Sequence, residues 1–236
     1  MKKRILVKVS GEQLSGEKGH GIDLEFLGWF AEEIKKVTEA GTQVVVVAGA
    51  GNWIRGADFA GNGLERATAD YMGMLAGVIN GQALMDIFQD RGIPTRVMSS
   101  FKMDQICEPY VRRKAIRHLE KGRVVIVSGG LGKPFFTHDT AAVTYGLELD
   151  CEEVLKATNV DGVYDKDPNK YDDAVLFEHL TLQKAIETPA IKVMDKAAIG
   201  LAMEQEMAIR VFDLHRPDAI LKIAQGEQIG TLINGG

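Results

Sequence analysis

Arg123-Val124-Val125-Ile126-Val127-Ser128-Gly129-Gly130-Leu131-Gly132-Lys133-Pro134-Phe135-Phe136-Thr137-His138-Asp139-Thr140-Ala141-Ala142 holds three kinds of local structure in one run. Arg123 to Val127 is apolar and β-branched and reads as a buried strand. Glycines, an aromatic pair and hydroxyls follow. From Asp139 an amphipathic helical pattern runs to about Leu149. Strand, glycine-rich loop and helix form the building unit of an α/β fold. Exposed backbone N–H groups and a helix N-terminus both attract anions. The stretch therefore reads either as a phosphate site or as an ordinary connection that uses glycine and Asp caps.

The same unit recurs on both sides. Ile5–Val9 is a short buried strand ended by Ser10-Gly11-Glu12, and Leu14–Gly21 reads as a mobile glycine loop. Asp23 caps a helix expected over Leu24–Ala40, with Leu24, Leu27, Phe30, Ala31, Ile34 and Val37 on one face and Gly41 as its stop. The valine run Val44–Val47 suggests a parallel sheet buried on both faces. Further helices are expected over Leu64–Arg91, Arg112–Glu120, Thr181–Glu187 and Asp195–Met207, with one from Pro217 to Gly226. Further strands are expected at Thr95–Met98, Glu153–Ala157, Ile209–Phe212 and Thr231–Ile233. The alternation argues for α/β with a mostly parallel central sheet and a single domain spanning 1–236. Four strands end in small or polar residues, at Ser10-Gly11, Gly49–Gly51, Ser128–Gly132 and Thr158. Ligands of open α/β sheets gather at such carboxyl ends.

Composition narrows the function classes. The chain has 236 residues, 45% of them apolar, enough for a sizeable core without disulfides. A formal charge of −5 carries no basic footprint for nucleic acid. Cys107 and Cys151 form no metal pattern and read as reduced, buried thiols. The N-terminus enters a strand directly, without a signal-peptide apolar region or a membrane-length apolar run, so a soluble cytoplasmic protein is expected.

Lys8 stands inside an apolar strand, where an unpaired ammonium is costly. It reads either as a point charge for a phosphoryl group or as a lysine whose head reaches water. Gly49-Ala50-Gly51-Asn52-Trp53-Ile54 begins like a dinucleotide fingerprint but lacks the third glycine, and Arg55 follows, suited to an oxyanion. Asp70 either complements a helix dipole or accepts from a ligand hydroxyl. Gly132-Lys133-Pro134 is not a Walker A loop, because Val127 and Pro134 stand where glycine and Ser/Thr are needed. No metal-binding H-E-x-x-H or C-x-x-C occurs, so no dedicated metal site is expected.

Taken together, these residues resemble the amino-acid kinase family and, within it, the bacterial uridylate kinases. The resemblance spans essentially the whole chain. It rests on Lys8–Glu12, the Gly49–Gly56 loop, Asp70–Met74, Gly132–Thr137, Asp139–Ala142, Lys156–Tyr164, Lys192–Asp195 and Gly230–Ile233. It implies an αβα three-layer sandwich that transfers the γ-phosphoryl of ATP to UMP, in pyrimidine nucleotide biosynthesis. It also implies Mg²⁺ carried with ATP, a homohexamer, and GTP and UTP as effectors. By the same resemblance, Lys8, Val9, Ser10 and Gly11, with Gly51 and Arg55, serve the ATP phosphates. Thr158, Tyr164 and Asp167 hold the ATP nucleoside. Ala50 and Asp70 serve UMP, as do Leu131, Gly132, Lys133, Pro134, Phe135, Phe136, Thr137 and His138. Asp139 and Asp195 are supporting acids, with Asp195 a candidate to orient Lys8 and Lys192 a further candidate. Ala50 replaces the usual third glycine, Leu131 and Lys133 replace the common Thr and Asn, and His138 replaces a frequent Thr. Competing readings are a carboxylate or carbamate kinase of this fold, a non-catalytic nucleotide or oxyanion storage protein, and a Rossmann oxidoreductase.

Overall fold

The computed structural model describes residues 3–54, 63–168, 170–188, 191 and 193–235. Its centre is a nine-stranded sheet. The strands are β1 (Arg4–Val9), β2 (Gln43–Ala48), β3 (Thr95–Ser99), β4 (Glu108–Pro109), β5 (Val124–Ser128), β6 (Glu153–Thr158), β7 (His179–Thr181), β8 (Ala208–Asp213) and β9 (Thr231–Asn234). Their order is β4-β3-β5-β2-β1-β6-β8-β9-β7. Among the described strands of the sheet, only the β8–β9 pair is antiparallel. The four strands with small or polar ends, β5, β2, β1 and β6, are neighbours at the middle of the sheet. Their carboxyl ends thus form one continuous rim.

Alternation along the strands splits the core in two. Ile5, Val7 and Val9 join Val44, Val46 and Ile126 on one face, under α2 (Leu24–Glu39), α3 (Arg66–Asp90) and α8 (Ala219–Ala224). Leu6 joins Val45, Val47, Val127 and Val154 on the other, under α4 (Arg112–Glu120), α5 (His138–Glu148), α6 (Leu182–Glu187) and α7 (Lys196–Glu204). The result is helix, sheet, helix, as the valine-rich strands suggest. By the same alternation Lys8 and Lys156 fall on the face of Leu6 and Val154, toward α5.

Several boundaries differ for physical reasons. The expected loop after β1 contains the short helix α1 (Gly11–Leu14) and a 3-10 turn over Gly16–Lys18. Ser10 and Gln13 cap α1 reciprocally, a capping box with Gln in the usual Glu/Gln place. Leu24, expected on the buried face of α2, is 63% exposed at the first turn. The last helix starts at Ala219 rather than Pro217, because Asp218 takes a left-handed backbone at φ 59°. The edge strands β4 and β7 were not expected; both are very short, which limits edge-to-edge pairing. Cys151 is buried and free, its thiol pushed up to about 12 by burial, while Cys107 is only half-buried.

Candidate active site

Lys8 and Lys156 are register partners on the parallel strands β1 and β6. Two ammoniums placed side by side in an apolar sheet repel each other and need an anion. Asp139 of α5 supplies it. Lys8 Nζ lies 2.8 Å from Asp139 Oδ1, and Lys156 Nζ donates to Oδ2 at 2.8 Å. Lys8 is only 8% exposed, so the head does not simply reach water. Burial opposes the Asp139 charge, but the two lysines outweigh it and hold its carboxyl below the usual range. Burial, together with Lys8, draws the Lys156 ammonium down, against the pull of Asp139.

Asp139 is free for this because it does not cap α5. The N-cap is Thr137, whose Oγ1 accepts from the N–H groups of Asp139 and Thr140. The helix therefore opens at His138, one residue before the position expected. Asp195 caps α7 through the N–H groups of Ala197 and Ala198. Its carboxylate also accepts from Thr140 Oγ1 at 3.0 Å and from Thr137 Oγ1. Asp195 thus joins the starts of α5 and α7, whereas the ion pair described for Lys8 is with Asp139. Lys192 and Arg55 lie outside the described residues.

The loops after β1 and β2 touch backbone to backbone. A Cβ on Gly11 would stand 2.3 Å from the Gly51 nitrogen, so glycine is required by close approach. Asn80 of α3, fully buried, donates to the Gly49 carbonyl at 2.8 Å and exchanges hydrogen bonds with Asn52. Asn52 in turn donates to the Gly21 carbonyl at 2.7 Å. Ala50 is buried, and its carbonyl accepts from Trp53 and Ile54. Val9 and Ser10 stand at the end of β1, and Gln13 Nε2 reaches Asn159 Oδ1 at 3.3 Å, linking the β1 and β6 rims.

Beyond β5 the chain crosses toward α3. Gly129, Gly130 and Gly132 have positive φ, as does Phe135 at 71°. Ser100 Oγ donates to the Gly129 carbonyl at 2.7 Å, and buried Tyr145 Oη donates to the Gly130 carbonyl at 2.9 Å. Asp70 Oδ2 accepts from the Phe135 N–H at 2.8 Å, and Oδ1 accepts from Arg66 Nε. Leu131 packs on the α5 side of the core; Lys133, Phe135 and Phe136 are exposed, and Pro134 is half-buried. His138 turns its Nε2 inward without a hydrogen-bond partner, 3.2 Å from where a Gly77 Cβ would stand. Burial, with the Lys8 charge adding to it, brings this imidazole down to about 4.

On the other flank of the rim, Thr158 Oγ1 lies within donating distance of the carbonyls of Val160 and Phe212, at 2.8 and 3.0 Å, and its one proton serves the turn after β6. Tyr164 forms an isolated bridge with Leu176, and Asp167 is exposed beside Lys170 at 3.5 Å. Lys8, Asp139 and the starts of α5 and α7 thus meet directly, as do Asp70 and the Phe135 loop. Sequence reasoning singled out neither Asn80 nor Tyr145, and gave no role to Lys156 and Thr140, although both lie in the motifs that carry the family resemblance. Lys156 carries the same signal as Lys8, a lysine inside an apolar strand.

Comparison with known proteins agrees with this geometry. A uridylate kinase from Xanthomonas axonopodis pv. citri (strain 306) is 47% identical over 233 residues, covering 99% of this chain and 97% of that protein. One from Dichelobacter nodosus (strain VCS1703A) is 46% identical over 232 residues, covering 98% and 96%. The crystal structure of UMP kinase from Bacillus anthracis matches with a TM-score of 0.94 at 35% identity, covering 98% of this chain and 96% of that one. That of UMP kinase from Ureaplasma parvum matches at 0.92 and 33%, covering 99% of each. The sequence profile of the amino acid kinase family matches residues 3–213, and this chain belongs to that family.

Proposed function

We propose that this chain is a UMP kinase, transferring the γ-phosphoryl group of ATP to UMP to give ADP and UDP. The observation that carries the reading is full-length similarity to uridylate kinases, at 46–47% identity. Phosphoryl transfer needs alignment and charge stabilisation more than a covalent catalyst. The rim supplies both. Lys8 offers a fixed ammonium, and the Gly11 and Gly51 loops offer backbone N–H groups to phosphates. Asp139 holds Lys8 and is itself occupied by two cations, which leaves it poorly suited as a resident metal ligand. Mg²⁺ therefore arrives as MgATP, carried on the phosphates.

Gly51 and Arg55 serve the ATP phosphates, and Thr158, Tyr164 and Asp167 its nucleoside. Asp70 and the Leu131–His138 stretch take UMP, with Ala50 against it. The whole chain acts as one domain, in line with its single sheet. Homohexamer formation is part of the proposal. Exposed Tyr71, Leu75 and Ile79, four residues apart on α3, give one apolar stripe suited to a second copy. GTP and UTP are the proposed effectors and the cytoplasm the proposed location; two free thiols accord with a reducing compartment.

The test is ADP release from MgATP with UMP, CMP, dTMP, acetylglutamate or carbamate as acceptor. Preferred turnover with UMP is expected. Turnover with another acceptor alone would sink the uridylate reading, and binding without turnover would favour a storage protein.

A further inference from the structure

A second lysine stands beside Lys8. Lys156 occupies the register position next to Lys8, so the two side chains leave neighbouring strands on the same face. Among the described residues its ammonium has two ties. One is Asp139 Oδ2 at 2.8 Å; the other is the Val193 carbonyl, just before α7. Lys8 takes the opposite oxygen of the same carboxylate. A carboxylate held by an ion pair at one oxygen and a charged hydrogen bond at the other loses freedom about its terminal torsion, which is otherwise soft. With Lys156 removed, Asp139 would keep one cation and regain that freedom, and Lys8 would lose its fixed anchor.

We propose that Lys156 is a positioning residue for phosphoryl transfer, locking the Asp139 carboxylate so that Lys8 presents its ammonium to the transferring group. This rests on the kinase reading above. Among the described residues, the charged and titratable groups facing Asp139 are Lys8 from β1, Lys156 from β6 and His138 from its own helix. Asp195, at the start of α7, acts on Lys156.

The experiment is a double-mutant cycle on the full chain, read by ADP release with MgATP and UMP. Lys156→Met should lower kcat on the order of 100-fold, the scale of a misplaced catalytic group, with little change in KM for UMP. Losing one neighbouring cation raises the carboxyl pKa of Asp139. The acid-side fall of kcat should therefore move to higher pH. Lys156→Arg, which keeps the charge, should restore the original acid limb. In an Asp139→Asn background, Lys156→Met should cost nothing further, because both changes remove one coupled device. Unchanged kcat in Lys156→Met, or an equal loss in both backgrounds, overturns the proposal. Should Lys156→Met fail to fold, the cycle is run with Lys156→Arg, whose own loss must vanish beside Asp139→Asn. A wild type that does not phosphorylate UMP fails the kinase reading instead, and so is told apart from a failure of Lys156.

Discussion

The lysine–aspartate cluster and the Ser128–Thr137 loop lie on one rim but are built in opposite ways. Lys8 and Lys156 stand on central strands, and each binds one oxygen of a nearly buried Asp139. The loop hangs from a few hydrogen bonds to Ser100, Tyr145, Asp70 and Asp195, with Phe135 69% and Phe136 49% exposed. Groups that stabilise a transferring phosphoryl must not move. Groups that close over an acceptor must be able to. The comparison assigns rate to the strands and acceptor affinity to the loop.

Asp139→Asn should break the cluster and produce the largest effect on stability. It leaves two buried ammoniums facing each other without their anion, so unfolding free energy should fall by about 3 kcal/mol at pH 7. Urea unfolding checks this, and an unchanged midpoint would mean that the pair is not a structural unit.

His138 sits at the seam between the regions and sets the next effect. Its folded pKa of about 4 lies below the ordinary 6.5. Between those values the unfolded chain binds a proton that the folded chain refuses. Stability is therefore lost as pH falls from 6.5 toward 4, by about 2 kcal/mol at pH 5. His138→Thr should remove that share, so the drop in stability from pH 7 to pH 5 should shrink. An identical drop in both proteins would show that His138 is not shielded.

On the loop side, Asp70→Asn weakens the acceptor for the Phe135 N–H and for any ribose hydroxyl. KM for UMP should rise about tenfold, the worth of one charge-assisted hydrogen bond, while KM for ATP holds. An effect on ATP alone would reverse the two subsites. Tyr145→Phe gives the smallest effect. Loss of the bond to the Gly130 carbonyl should cost about 1 kcal/mol in urea unfolding, with kcat nearly kept.

Much of this was legible in the chain. The valine runs and the four small or polar strand ends led directly to a parallel sheet with one functional rim. A lysine in an apolar strand marked Lys8, and the same rule applied to Glu153–Thr158 would have marked Lys156. Other features depend on partners far away in sequence. Asn80 reads as an ordinary helix residue until it meets Gly49, and Asp195 as a plain cap until it meets Thr140. Thr137 and Asp139 both suit an N-cap by residue type. The choice fell to Thr137 because two lysines from other strands claim the Asp139 carboxylate.

The central claim is that Lys8 drives the chemical step and leaves acceptor binding to the loop. Lys8→Ala tests it directly, with kcat measured by ADP release and UMP affinity by titration calorimetry on the same preparation. The account predicts that kcat falls by about 100-fold or more while UMP affinity holds. Loss of UMP affinity with kcat preserved would contradict it.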